Sequence, residues 1–338
     1  MRRTLLVSGE FPPNVGGVAS YYAALCRQLP PDRVGVLTQR HAGSARTDGA
    51  FGFPIYRTEL ISRNPLIWPK WRLAVRRIEE TVHRQQYEVC LAGQILPYGT
   101  AAWRLHRRTG LPYIVIVHGM DIAMPRGRKR WACAQILRHA EAVIANSHAT
   151  ALHLKPFAVP KEKTIVIQPA VDPPQRVPAE LASAIAQTYH LNGALVLLTV
   201  SRLVPRKGHR QVVSLLPKLR ERFPAIRYVI VGDGPERNEL RQFARRLRVA
   251  ESVVFVGAAS PAELAAWYER CDVFVMPVEP IVPGDVEGFG IVYLEASSYG
   301  KPVIGTDLGG VSEAIADGVS GLLVPPRDPG ALDAAITR

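Results

Sequence analysis

"TLLVSGEFPPNVGGVASYYAALCRQLPPDRVGVLT", residues 4–38, decides the fold. "TLLVS" (4–8) and "VGVLT" (34–38) are short β-branched runs, and residues 18–29 between them have helical length with Val18, Tyr21 or Tyr22, and Leu25 on one face. A strand, a helix and a second strand in this order form a parallel crossover, in which the helix packs back on the sheet. The turn after the first strand carries Gly16 and Gly17 directly ahead of the helix.

The same alternation runs on through "YEVCLA" (87–92), "YIVIVHG" (113–119), "AVIANS" (142–147) and "TIVIQP" (164–169), with helical stretches at 70–85, 100–108 and 130–140. A Pro-dense break, "QPAVDPPQRVPAE" (168–180), interrupts it. The rhythm then resumes with "ALVLLTVS" (194–201), "RYVIVGDG" (227–234), "SVVFVG" (252–257), "DVFVMP" (272–277), "KPVIGT" (301–306) and "GLLVPP" (321–326). The expectation is an α/β protein of two Rossmann-like, doubly wound parallel-sheet domains, residues 1–172 and 173–338, facing across a cleft. Ligands of such sheets sit beyond the carboxyl ends of the strands.

Composition narrows the class. A chain of 338 residues exceeds one hydrophobic core, and 47% hydrophobic with 21% charged residues is ordinary globular chemistry. No apolar run reaches membrane-spanning length, and the apolar run of "MRRTLLVSGEFPP" is too short for a signal peptide. Cys26, Cys90, Cys133 and Cys271 are widely spaced and form no CxxC pair, which reads as reduced thiols and no zinc site. The net charge of +13 favours an anionic partner: a nucleotide, an acidic lipid surface or nucleic acid. No aromatic platform, helix-turn-helix or zinc spacing supports nucleic acid.

The candidate ligand-binding residues lie at strand ends. Gly16–Gly17 would bring helix-start amides to a phosphate, or merely form a tight turn; the pattern is not GxGxxG. His118, in "VHGMDI" (117–122), ends the strongest strand of the first half, and Asp121 would orient a polar group or cap the next segment. In "SRLVPRKGHRQVV" (201–213), Arg202 and Lys207 offer a guanidinium fork and a point charge to a diphosphate; the plainer alternative is a solvated basic loop, and with Arg206 and Arg210 nearby some of this charge is just that. "GDVEGFGIVYLEASSYGKPVI" (284–304) holds Glu287 and Glu295 eight positions apart, with a Gly-Phe-Gly turn leading into a helix from Ile291 to Tyr299. The amides of Phe289, Gly290 and Ile291 would stand at its positive end. The plainer alternative is a surface helix with two solvated acids. Residues 63–86 and 125–131 combine tryptophans with Lys and Arg, as an interfacial helix on anionic lipid or an ordinary amphipathic helix does.

Taken in order and spacing, "FPPNVGGV", "VHGMD", "SRLVPRKG", "GDGPE", the E-x7-E of "EGFGIVYLE" and "GTDLGGVSEAIADGVSGLLVPPRDP" resemble the retaining GT-B glycosyltransferases. That large group contains bacterial mannosyltransferases of glycolipid and polysaccharide synthesis. The likeness covers nearly the whole chain, and "DVEGFGIVYLEA" is similar to the branch that builds phosphatidylinositol mannosides from GDP-mannose. It implies a metal-independent hexosyltransferase with no cofactor, whose substrates are a nucleotide sugar (GDP-mannose or a UDP-sugar) and a lipid-linked or glycan acceptor. By the resemblance, Glu287 holds donor-sugar hydroxyls and Glu295 the ribose. Arg202 and Lys207 neutralise the diphosphate, Gly16 and Gly17 close over phosphate, and His118 faces the transferred sugar. Phe289, Gly290 and Ile291 donate backbone hydrogen bonds, and the base lies near Val256 and Gly257. The implied location is cytoplasmic, peripheral on the inner membrane face through 63–86 and 125–131. Two other activities fit the same fold: a nucleotide-sugar epimerase, or an inactive basic membrane-binding protein. Members of the group end in helices that cross back onto the first domain; this sequence stops at "DAAITR", being either truncated or closed differently.

Overall fold

The structure is a computed structural model that describes residues 1–41, 43–62, 64, 68–123, 125–281 and 287–338. Gly284–Val286 of the acidic stretch, and 63 and 65–67 of the basic segment, lie outside the described residues. The chain divides into two units, Met1–Ala170 and Val171–Arg338.

The first unit is built on a seven-stranded parallel sheet: β1 (Thr4–Ser8), β2 (Val34–Thr38), β3 (Ile55–Arg57), β4 (Val89–Ala92), β5 (Tyr113–Val117), β6 (Ala142–Ala145) and β7 (Thr164–Val166). Their order is β3-β2-β1-β4-β5-β6-β7. β1, β2, β4 and the last four residues of β5 are apolar or small residues, mostly fully buried, as a sheet covered on both faces requires. β3 is the one strand absent from the sequence expectation. It is three partly buried residues at the sheet edge, too short to leave a periodic signal.

The second unit carries β8 (Val196–Val200), β9 (Arg227–Val231), β10 (Val253–Gly257), β11 (Val273–Met276), β12 (Val303–Thr306) and β13 (Gly321–Val324), ordered β10-β9-β8-β11-β12-β13. Every strand pair in both sheets is parallel. The doubly wound architecture expected from the strand–helix alternation is therefore what the chain adopts. Each sheet reverses its strand order once, between β1 and β4 and between β8 and β11, and those reversals open a crevice beyond the strand ends.

Helices between strands cover both faces. Helix starts are set locally: Ser260 and Glu263 form a reciprocal capping box, with Pro261 at the first helical position. Separate apolar clusters fill the two faces of each sheet, centred on residues such as Tyr113 and Ile136 or Tyr22 and Leu6 in the first unit. Trp267 and Phe274, or Leu216 and Ile230, serve the second. All four cysteines are buried and unbridged. Among the described residues no helix is long and apolar enough to cross a membrane.

Candidate active site

In the second unit the switch point gathers charge. The 3₁₀ turn Pro205–Lys207 follows β8, and its two cations converge on one carboxylate oxygen. Lys207 Nζ donates to Glu287 Oε2 at 2.7 Å and Arg206 donates to the same atom at 2.6 Å. Lys207 and Glu287 are almost enclosed, with side chains 11% and 12% exposed. Burial pushes the Glu287 carboxyl up, but Lys207 and then Arg206 more than offset this and hold it below the usual glutamate value. Glu287 is thus an anion at neutral pH. Arg202 stands exposed at the head of the same loop.

The segment after Glu287 is fitted against its neighbours. Gly310 donates its N–H to Glu287 O at 2.9 Å, and a Cβ on Gly310 would stand 2.1 Å from Gly288 O, so only glycine permits that approach. Gly290, at φ +86°, makes the left-handed turn that starts the helix Ile291–Ser298. Phe289 and Ile291 are buried in the core, which leaves their backbones rather than their side chains to meet a ligand. The first amides of that helix have no intrahelical acceptor. Glu295, on the same helix and partly buried, accepts a hydrogen bond from Tyr268 at 2.6 Å. Burial raises its carboxyl pKa, and the Tyr268 bond opposes that only in part. Gly257 closes β10 at φ +86° beside a partly buried Val256, and its carbonyl accepts the Gly232 N–H at 2.7 Å.

In the first unit Gly16 and Gly17 are exposed at the start of the helix Gly17–Arg27, just past β1. His118 follows β5 and meets that same helix: its Nε2 lies 2.6 Å from Tyr22 Oη, which also bonds the Gly93 carbonyl. Burial pushes the imidazole down to about 4, with the Gly93 carbonyl acting the other way, so His118 is neutral at physiological pH. Asp121 accepts the His118 backbone N–H at 2.9 Å and so fixes the turn on which the imidazole sits. Its carboxyl is pushed up to about 6 by burial, against the pull of backbone amides at His118, Gly119 and Ile122. Its second oxygen is buried with no hydrogen-bond partner among the described residues.

Of the expected residues, Lys207 and Glu287 are in direct contact; Gly16, Gly17 and His118 follow strands of the first unit, Arg202, Val256 and Gly257 end or follow strands of the second, and Phe289, Gly290, Ile291 and Glu295 continue the segment after Glu287. Three polar partners stand outside the expected set, the first being Tyr268 on Glu295. Arg206, in a loop where some of the charge is expected to be solvated, ion-pairs with Glu287; neighbouring cations cannot be ranked until the turn that aims them is known. Tyr22 reads as core in the sequence, and it gains its polar partner from His118, 96 positions away.

Two Rossmann-like units with ligand-type residues at their switch points define the GT-B class. The second unit matches the family model for glycosyl transferases group 1 over residues 184–338, and residues 15–175 match Glycosyltransferase Family 4. A GDP-mannose-dependent alpha-(1-6)-phosphatidylinositol monomannoside mannosyltransferase of Mycolicibacterium smegmatis is 33% identical, over 98% of this chain and 87% of its own length. The protein of the same description from Mycobacterium tuberculosis is 31% identical, over 97% of this chain and 86% of its own. The crystal structure of Anabaena Alr3699/HepE in complex with UDP and glucose superposes with a TM-score of 0.82 at 23% identity, covering all of this chain and 89% of that one. The chain belongs to the group 1 glycosyltransferases of GT-B fold and is a hexosyltransferase.

Proposed function

We propose that the chain transfers mannose from GDP-mannose to a phosphatidylinositol-mannoside type of glycolipid, with retention at the anomeric carbon, on a membrane surface. The observation that carries this is the ionised Glu287 held between Lys207 and Arg206, in a chain 33% identical along 98% of its length to an enzyme described by that reaction.

The chemistry follows from the charges. Breaking the bond from sugar to diphosphate builds negative charge on the departing oxygen. Lys207, Arg206 and Arg202, with the first amides of the helix Ile291–Ser298, would stabilise that charge as preorganised donors. Glu287, an anion that only accepts, would orient the donor-sugar hydroxyls; Glu295 would do the same for the ribose. Gly16 and Gly17 would supply backbone N–H groups to phosphate. Neutral His118, whose one N–H is taken up at Tyr22 and the Gly93 carbonyl, would offer its other ring nitrogen as an acceptor to a sugar hydroxyl without adding positive charge where an oxocarbenium-like centre develops. Val256 and Gly257 would flank the base. The leaving phosphate would take the acceptor's proton, so no strong base is required.

Contact with anionic lipid fits the first unit's surface. Trp68 is 80% exposed and Trp131 63% exposed, and Lys70, Arg72, Arg126, Arg128, Lys129 and Arg130 lie exposed beside them in the chain. Tryptophan at headgroup depth with cations to anionic lipid is the chemistry of a peripheral surface.

The test is transfer of radiolabel from GDP-mannose to phosphatidylinositol monomannoside in vesicles, by the wild type and by Lys207→Ala. Labelled lipid with the wild type and none with the variant, while both fold, is expected. Equal labelling by both, or labelling from UDP-glucose alone, would overturn the assignment.

A further inference from the structure

Behind the cationic loop lies a chain of buried polar groups that the proposed chemistry does not use. His209, the first residue of the helix His209–Arg222, is 1% exposed. Its Nδ1 lies 3.0 Å from Tyr228 Oη on β9, and Tyr228 Oη lies 2.9 Å from Thr199 Oγ1 on β8. Thr199 in turn donates to the Val275 carbonyl on β11. At the other side, His209 Nε2 lies 3.0 Å from Ser201 Oγ, at the carboxyl end of β8.

Inside the sheet the directions follow from the Val275 carbonyl, which can only accept. Thr199 gives its proton to the Val275 carbonyl, so it accepts from Tyr228. Tyr228 has then spent its proton and accepts from His209 Nδ1–H. The imidazole is neutral, since burial lowers its pKa to about 4, with Lys207 adding to this and the Arg202 carbonyl opposing. Nδ1 carries the ring's one proton, so Nε2 accepts from Ser201 Oγ–H at 3.0 Å, a shorter contact than the 3.3 Å from that hydroxyl to the Arg202 carbonyl. Ser201 and His209 flank the whole segment that carries Arg202, Arg206 and Lys207. Their hydrogen bond joins the two ends of that loop, and the Tyr228–Thr199–Val275 chain roots the joint in three adjacent strands.

We propose that His209 is a positioning residue for the donor site: through Ser201 it clasps the loop that presents Arg202, Arg206 and Lys207. The proposal rests on the reading that these cations hold the donor diphosphate. Without the clasp the loop keeps its backbone ties, from Ser201 N–H to Val231 O and Leu203 N–H to Asp233 O at 3.0 Å and from Glu279 N–H to Arg206 O at 2.9 Å, but it loses the side-chain bond that joins its two ends. The cations then lose their pre-set spacing, and ordering them falls on the ligand.

The experiment is calorimetric titration of the full chain with GDP and UDP, following the tighter-binding of the two. In His209→Gln the side-chain oxygen takes the place of Nε2 and still accepts from Ser201. In His209→Asn the amide reaches the place of Nδ1 and stops short of Ser201. Ser201→Ala removes the clasp from its outer end without touching the core, and it decides the matter if His209→Asn does not fold. We expect His209→Gln to stay within about twofold of wild type, with His209→Asn and Ser201→Ala roughly five- to tenfold weaker, the effect of one hydrogen bond. A merely structural histidine would lower the unfolding temperature of both His209 variants and leave their nucleotide affinities alike. Wild-type affinity in His209→Asn and Ser201→Ala, or equal weakening in His209→Gln and His209→Asn, would overturn the proposal. Binding of neither nucleotide by the wild type would instead remove the donor-site reading, and the proposal with it.

Discussion

Replacing Glu287 by glutamine removes a charge and almost no volume, so its cost isolates the electrostatics of the cluster. Two charge-assisted hydrogen bonds, from Lys207 at 2.7 Å and Arg206 at 2.6 Å, are worth about 1.5–3 kcal/mol each. Against this, the amide escapes the desolvation of a side chain only 12% exposed and still offers one acceptor oxygen, so the net loss is about 2–3 kcal/mol. For a unit of this size that is a fall of roughly 4–12 °C in melting temperature. The pH dependence has a defined sign. The folded-state pKa of Glu287 lies below its unfolded value, so its contribution is complete above the unfolded value and is lost as pH falls through the folded one. Differential scanning calorimetry of wild type and Glu287→Gln should therefore show a gap at pH 7 that narrows on acidification below the ordinary glutamate range. A variant as stable as wild type at pH 7, or a gap that widens in acid, would refute the reasoning.

Three further outcomes follow from particular contacts. Gly310→Ala, whose Cβ would meet Gly288 O at 2.1 Å, should displace the segment after Glu287 and cut transfer by more than about tenfold, with little change in far-ultraviolet circular dichroism; wild-type turnover would contradict the close fit. Nitrogen-15 NMR of His118 should show a neutral ring from pH 8 down to 5, with protonation near 4; a midpoint close to 6.5 would mean the ring is solvated rather than buried against Tyr22. Trp68→Ala with Trp131→Ala should weaken co-sedimentation with phosphatidylinositol vesicles and leave GDP affinity unchanged, whereas undiminished sedimentation would dismiss this face as the lipid contact.

Legibility in the sequence tracked how local each signal was. β1 and β2 are continuous apolar runs and were readable to the residue, whereas β3 owes its place to pairing with β2 along the edge and carries little pattern of its own. The E-x7-E stretch was legible because Gly290 and the helix after it are set by neighbours in sequence. Arg206 and Tyr22 were not, because each gains its partner from a distant segment: Glu287 lies 81 positions from Arg206, and His118 lies 96 from Tyr22. Hydrophobic periodicity reports which face is buried and says nothing about which polar atom meets another across a crossover. The hydrogen-bonded chain from Val275 to Ser201 has the same character, since it is assembled from three strands and a helix start.

The most direct test of the central claim is proton NMR of the reaction mixture containing wild-type protein, GDP-mannose and phosphatidylinositol monomannoside in vesicles. The donor's anomeric signal should decay as GDP appears, and a new α-anomeric mannosyl signal should grow on the lipid in equal measure. A β-anomeric product, or GDP release with free mannose and no lipid product whatever the acceptor concentration, would contradict it.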